Sequence, residues 1–409
     1  MSQKAKNKKN EKINDFIYSV GVLNPNSRIS DVIIKTDFGT SYNSFLIKDK
    51  KIALVETCHN DFFEDYLENI KEVCDLDSID YIILNHTEPD HSGALKKIIK
   101  LAPNAKIICS KAGTIYLKNI INQDLDFIIA QDNFELDLGE NKIKFISAPF
   151  LHWPDSMFSL LENKNFKALF SCDFLGCHFC EPEIFDFKIK FLSDYELMLE
   201  NYFKNIFGPF KKYVLAGLEK INGIGLDFIF TSHGPVLTKN NLLDKTIEKY
   251  KIWASDKKDT ENKYVAIFYC SAYGNTFELA KKIKTGILER DKNLDVKLFN
   301  IIEHDLNFLR NELNKSDAFL IGSPTINRDA VAPVWNLLTG IDAINNKNKN
   351  AAVFGSFGWS GEATDFIFNR LKDLKLKVFE NKLKINFVPS EKDLESARNF
   401  GFEFAKSFV

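Results

Sequence analysis

Four potential metal ligands lie within six residues at His86-Thr87-Glu88-Pro89-Asp90-His91, directly after the apolar run Tyr81 to Leu84. Three more sit just past other apolar runs: His152 in FLHWPD, Asp173 in FSCDFLG and His233 in FTSHGP. A single histidine or aspartate at the end of a strand is ordinarily a turn or cap residue. Seven at four strand ends, taking four of the chain's seven histidines, are hard to place that way. Backbone irregularity at Pro89 would let alternate side chains converge on one point. Four imidazoles and three carboxylates are enough to hold two adjacent metals with one carboxylate bridging them. No thiolate belongs to the set, which argues against a structural zinc site or an iron-sulfur cluster and suits iron, manganese or zinc. The negative charge of the carboxylates stabilises a higher oxidation state, which tilts the choice towards iron.

A second constellation lies near the other end. The apolar run Tyr264 to Tyr269 passes through Cys270 into Ser271-Ala272-Tyr273-Gly274-Asn275-Thr276. A helical pattern with Leu279, Ala280, Ile283 and Ile287 on one face then starts at Phe277. Hydroxyls and free backbone N–H groups at a helix N-terminus favour a phosphate. Without a Walker lysine or GxGxxG, the loop suits one phosphate better than a nucleoside triphosphate or dinucleotide. Two further loops follow strands, Ser323-Pro324-Thr325-Ile326-Asn327 after FLIG and Ser356-Phe357-Gly358-Trp359-Ser360-Gly361 after AAVFG. The glycines of the latter permit close approach to a planar ring, and an exposed Trp359 could stack on it.

These residues need elements to position them. From Ser30 to about Leu237, apolar runs at 42–47, 52–56, 81–84, 106–109, 142–146, 168–171 and 228–231 alternate with helical patterns, as in a sheet-rich layered α/β fold. A helix over 240–253 and a polar stretch at 254–263 mark a domain boundary. Beyond it, strands at 264–269, 296–299, 318–322 and 351–355 alternate with helices, which predicts a doubly wound parallel sheet with its ligand crevice at the carboxyl ends of the strands. The expected organisation is a disordered lysine-rich tail over 1–12, a first domain over 13–256 and a second over 257–409.

Composition excludes several classes. With 54 basic against 56 acidic residues the chain has no field to attract nucleic acid or an anionic membrane. No run approaches a membrane span and the opening residues form no signal-peptide core, so a cytoplasmic protein is expected. The seven cysteines are scattered and odd in number, as befits reduced thiols. Only Cys177 and Cys180 make a CxxC, whereas a rubredoxin or zinc ribbon needs two such pairs. A structural or supporting role is expected of them. His59 is read as a turn residue and His304 as a surface residue.

The pattern H-x-E-x-D-H with its separated His, Asp and His resembles the metallo-β-lactamase-like domain of flavodiiron proteins. The hydrolytic zinc enzymes of that fold carry H-x-H-x-D-H, and Glu88 stands where their second histidine stands. The three later loops resemble the phosphate loop and the two isoalloxazine-flanking loops of flavodoxins, most closely those of the flavodiiron proteins' flavodoxin-like domain. The resemblance implies an N-terminal αββα sandwich and a C-terminal flavodoxin-like doubly wound sheet. It implies one iron on His86, Glu88 and His152, another on Asp90, His91 and His233, Asp173 as the bridge, and FMN in the three loops. Gly176-Cys177-His178-Phe179 is also similar to the family and makes His178 a pocket or supporting residue.

The implied activity is reduction of dioxygen to water or of nitric oxide to nitrous oxide. Electrons would come from a separate donor: a rubredoxin, a rubredoxin reductase or reduced deazaflavin. The implied assembly is a head-to-tail homodimer, alone or paired into a dimer of dimers. Trp153, Phe158 and His178 are the candidates for choosing between the gases. Two other readings stand beside this one: a binuclear zinc hydrolase fused to an electron carrier, and a non-catalytic flavin carrier with a structural metal site. Glu88 and the flavin loops speak against the first, and the complete two-metal ligand set against the second.

Overall fold

The computed structural model describes residues 11–32, 34–255 and 263–408, and the chain divides into two units, Met1–Asp256 and Lys257–Val409. Most of the expected lysine-rich tail lies outside the described residues. Glu11 and Lys12, assigned to that tail, instead pair as a short antiparallel strand with Ser19 and Tyr18.

The first unit stacks two sheets. One runs Glu11–Lys12, Ile17–Ser19, Phe45–Lys48, Ile52–Val55, Ile79–Leu84, Lys106–Cys109 and Phe127–Ile129, the last four mutually parallel. The other runs Glu135–Asp137, Lys142–Ser147, Met157–Glu162, Lys167–Cys172, Phe228–Thr231 and Leu237–Thr238. Alternate side chains of both sheets, among them Phe45, Val55, Ile83, Phe145, Met157, Phe170 and Phe230, fill the layer between them. The opposite face of the first sheet packs with helices Phe63–Lys71, Leu95–Leu101 and Lys111–Ile121. That of the second packs with Leu192–Tyr202, Lys211–Ile221 and Leu243–Ala254. The layers are therefore αββα, as the ligand pattern implied.

Two local readings need correction. The run 42–47 is not one strand: Thr40–Tyr42 and Phe45–Lys48 belong to different sheets, and buried Asn43 turns the chain between them by bonding Thr231 and Gly234 carbonyls at 2.7 and 2.8 Å. Nor is Pro89 the source of an alternating arrangement. It opens a single helical turn, Pro89–Ser92, where its missing N–H costs nothing.

In the second unit the parallel strands lie in the order Asp295–Asn300, Tyr264–Tyr269, Ala318–Ile326, Asn350–Phe357, followed by Lys377–Val378 and Leu383–Asn386, which both pair with Asn350–Phe357. Separate apolar clusters cover the two faces. This is the doubly wound flavodoxin order. Ser323 to Ile326, read as loop, extends the third strand and folds back on Asp329–Ala330 through Asn327 and Arg328, whose φ values of 53° and 61° make a tight turn. Ser356 and Phe357 likewise end a strand.

A candidate two-metal centre and a flavin site

Strand Ile79–Leu84 delivers the first ligands. Its exit is held by the Asn85 N–H, which donates to Glu56 Oε1 at 2.9 Å, and by Asn85 Oδ1, which accepts from Ser159 of the facing sheet at 2.6 Å. Asp155 then clamps the next two residues. One of its oxygens accepts the Thr87 N–H and hydroxyl at 2.8 and 2.7 Å, and the other lies 3.2 Å from His86 Nδ1. The turn Pro89–Ser92 brings Asp90 and His91 to the same side. Thr57 holds that turn by bonding the His91 carbonyl.

Asp173 directly follows strand Lys167–Cys172, where the register shifts between Phe170 and Cys172 and Cys172 takes a φ of 53°. Such a bulge re-aims the next side chain. His152 lies five residues beyond Ser147, in the connection to Met157–Glu162 rather than just past a strand. His233 follows Thr231 and precedes Gly234, whose φ of 80° and 2.7 Å approach of a would-be Cβ to the Cys177 carbonyl require glycine.

All seven predicted ligands meet. Donor atoms of His86, Glu88, His152 and Asp173 lie within 4.8 Å of one another, and so do those of Asp90, His91 and His233. Asp173 divides between the groups. Its Oδ2 lies 3.7 and 3.3 Å from the Nε2 atoms of His86 and His152, and its Oδ1 lies 3.1 and 3.4 Å from those of His91 and His233. Glu88 Oε2 approaches His86 and His152 at 3.1 and 3.3 Å, while Asp90 approaches His91 and His233 at 3.2 and 3.1 Å. Yet Asp90 Oδ1, His91 Nε2 and Asp173 Oδ1 are buried with no hydrogen-bond partner, because they aim at a shared point rather than along one another's bonds. Buried polar atoms left that way are costly. Nitrogen and hard-oxygen donors in this arrangement fit two metal ions.

The backing groups settle the tautomers. Ser41's carbonyl lies 2.6 Å from His233 Nδ1 and Asp155 faces His86 Nδ1, so each ring presents Nε2 to the cluster. Burial would lower the imidazoles of His86, His91 and His152, but the surrounding carboxylates outweigh it and raise all three, His91 to about 10. Burial likewise opposes ionisation of Glu88, Asp90 and Asp173, and the facing histidines reverse that, holding the three below the ordinary range. In the metal-free site proton uptake by these imidazoles would offset the carboxylates' charge, a role that passes to the metal once the neutral rings bind it.

His178 is pushed down to about 3 by burial and by neighbouring His233. It meets the site through Thr40, whose hydroxyl lies 2.8 Å from His178 Nδ1 and 3.3 Å from His233 Nδ1. Trp153 stands edge-on to His86 at 5.0 Å, whereas Phe158 is a core residue stacked on Phe174. Among the described cysteines none is in a disulfide, and burial keeps Cys172 and Cys177 as thiols. His59 caps a turn by accepting the Asp61 N–H, and His304 is exposed.

In the second unit Gly274, at φ 84°, begins helix Asn275–Arg290 without any side-chain cap. Ser271 Oγ accepts the Phe277 N–H, Thr276 bonds Ser356 at 2.8 Å to tie the first loop to the third, and Arg328 bonds Glu362 at 3.0 Å to tie the second to the third. Asn386 holds the Gly358 carbonyl at 2.7 Å. Tyr273 and Trp359 are 92% and 99% exposed, so both rings are open to a flat ligand. An uncapped helix start with exposed aromatic rings nearby fits a flavin phosphate and ring.

Known proteins match both halves. Residues 40–234 match the ODP family beta lactamase model and residues 267–401 the flavodoxin model. A flavo-diiron protein, FprA2, from Clostridium acetobutylicum is 54% identical over 97% of this chain and 99% of its own. An anaerobic nitric oxide reductase flavorubredoxin from Vibrio vulnificus is 34% identical over 90% of this chain and 74% of its own. The rubredoxin oxygen:oxidoreductase of Desulfovibrio gigas superposes with a TM-score of 0.69 at 28% identity, covering 98% of each chain. Fold and site thus define a metallo-β-lactamase-like domain joined to a flavodoxin domain. The chain belongs to the flavo-diiron protein family, and is an oxidoreductase whose cofactors are FMN and a di-iron centre.

Proposed function

We propose that this chain takes electrons from a separate donor into FMN and passes them to the di-iron centre, where dioxygen is reduced to water or nitric oxide to nitrous oxide. The observation that carries the reading is the Asp173 carboxylate, one oxygen facing each histidine group. In this reading His86, Glu88 and His152 would hold one iron, Asp90, His91 and His233 the other, and Asp173 would offer one oxygen to each. Ser271, Tyr273, Gly274, Asn275 and Thr276 would hold the flavin phosphate. Pro324 to Asn327 and Ser356 to Gly361 would hold its ring.

When bound, the irons deliver electrons as a pair to a small diatomic while the flavin exchanges them singly or in pairs. The protein's own part is positional. Asp155 and the Ser41 carbonyl hold the tautomers of His86 and His233. Edge-on rings of Phe207 and Phe210 at 6.1 and 6.4 Å from His152, with Trp153 at His86, make an apolar wall that limits water. The relatives named for nitric oxide and for oxygen reduction support both substrates, and a rubredoxin-type donor. The family's head-to-tail dimer is adopted as the working assembly.

A binuclear zinc hydrolase is the reading to test against. Purified without oxygen, the protein should carry about two irons and one FMN per chain, and about two zincs with no gas-linked reoxidation of the flavin would overturn the proposal.

A further inference from the structure

Reduction of dioxygen to two waters consumes four electrons, and two irons can give only two. If the flavin is oxidised when oxygen arrives, two electrons are missing at a centre surrounded by oxidisable histidines. An aromatic pair is placed to meet this. Trp153 lies edge-on to His86, with ring centres 5.0 Å apart at 78°, and Tyr116 lies edge-on to Trp153 at 6.0 Å and 88°. Both rings are half-buried. Tyr116 belongs to helix Lys111–Ile121, which sits against the ligand loop: a Cβ on Gly113, one turn earlier, would lie 3.3 Å from Thr87 Cγ2. The line Tyr116, Trp153, His86 therefore runs from the surface to a ligand through three rings.

We propose that Trp153 and Tyr116 are an internal electron reserve that completes oxygen reduction when the flavin cannot. The inference rests on the oxygen-reducing reading above. Trp153 gives the first electron and is refilled by Tyr116, which releases its phenolic proton; Trp153 then gives the second and releases its indole proton. With two electrons from the irons, two from the rings, two protons from the rings and two protons taken up from the buffered solvent, dioxygen becomes two waters. Tyrosyl and tryptophanyl radicals remain, to be re-reduced by the donor. Tyr42 and Tyr202 also face His233, at 5.9 and 6.2 Å, but a phenol must shed its proton as it is oxidised. An indole need not, and Trp153 is the closest of the three to a ligand ring.

The test is freeze-quench electron paramagnetic resonance on the full, iron- and FMN-loaded chain, reduced with about two or about four electrons per chain and mixed with oxygen. The two-electron sample should give coupled protein radicals that largely vanish in the four-electron sample. Tyr116→Phe should leave a lone tryptophanyl signal, and Trp153→Phe should abolish both. Radicals unchanged in both variants, or no radical although the irons are reoxidised, would overturn the reserve alone. Irons that oxygen does not reoxidise would overturn the oxygen-reducing reading and the reserve with it.

Discussion

Asp173 and Asp155 do different work with the same carboxylate. Asp173 offers an oxygen to each ligand group, so Asp173→Asn, which replaces one oxygen by an amide, should lose coupling between the irons and most gas reduction while keeping FMN. Magnetic susceptibility and flavin content check this. Asp155 instead bonds His86 and Thr87. Losing such a backing group ordinarily costs about 10–100-fold in metal affinity, so Asp155→Asn should compete that much less well with a chelator.

Glu56 presents a third case. It is buried at a φ of 61°, with one oxygen on the Asn85 N–H and the other without a partner. Burial pushes its carboxyl up to about 7, against the opposing charge of His91. The folded state therefore holds this proton more tightly than the unfolded chain. Its contribution is complete below the unfolded value of 4.5 and is lost as pH rises through about 7. The loss is on the order of 3 kcal/mol at most. Urea unfolding of the metal-free protein should show wild type weakening relative to Glu56→Gln across that window.

At the scale of elements, the site depends on how chain ends are turned. Asn43 clamps the His233 loop through two carbonyls, and Asn43→Ala would leave both buried acceptors short, at about 1–3 kcal/mol each at most. Thermal unfolding and iron content should both fall. In the second unit helix Asn275–Arg290 crosses Glu391–Lys406 so closely that a Cβ on Gly286 would overlap the Arg398 carbonyl. Gly286→Ala should cost at least about 1–3 kcal/mol, seen as a lower melting temperature of that unit.

These turns also mark where the sequence could be read and where it could not. The seven candidate ligands announced themselves because histidine and carboxylates recurred after apolar runs. Asp155 stands in the same FLHWPD segment, three residues past His152, and only the fold brings it to His86, 69 positions away. Glu56 and Ser41 look like ordinary strand-end residues until their partners arrive from other strands. The strand Met157–Glu162 carries no alternating signal, because it is buried on both faces. The hairpin turn at Asn327 and Arg328 contains no glycine or proline to signal it, and its left-handed residues follow an uninterrupted strand.

For the whole molecule, the two units place a flavin site and a two-metal site on one chain. In the proposed function electrons enter at the flavin and are spent at the metals. Trp359, 99% exposed, should matter only to the former: replacing it should alter flavin affinity or spectrum and leave iron content unchanged. The most direct measurement is stopped-flow mixing of the anaerobically prepared, iron-loaded and fully reduced protein with dioxygen and, separately, with nitric oxide, following flavin reoxidation. Fast reoxidation by at least one gas, lost when the irons are removed but FMN is retained, is the predicted result. Reoxidation at the same rate without iron, or none with either gas, would contradict the account.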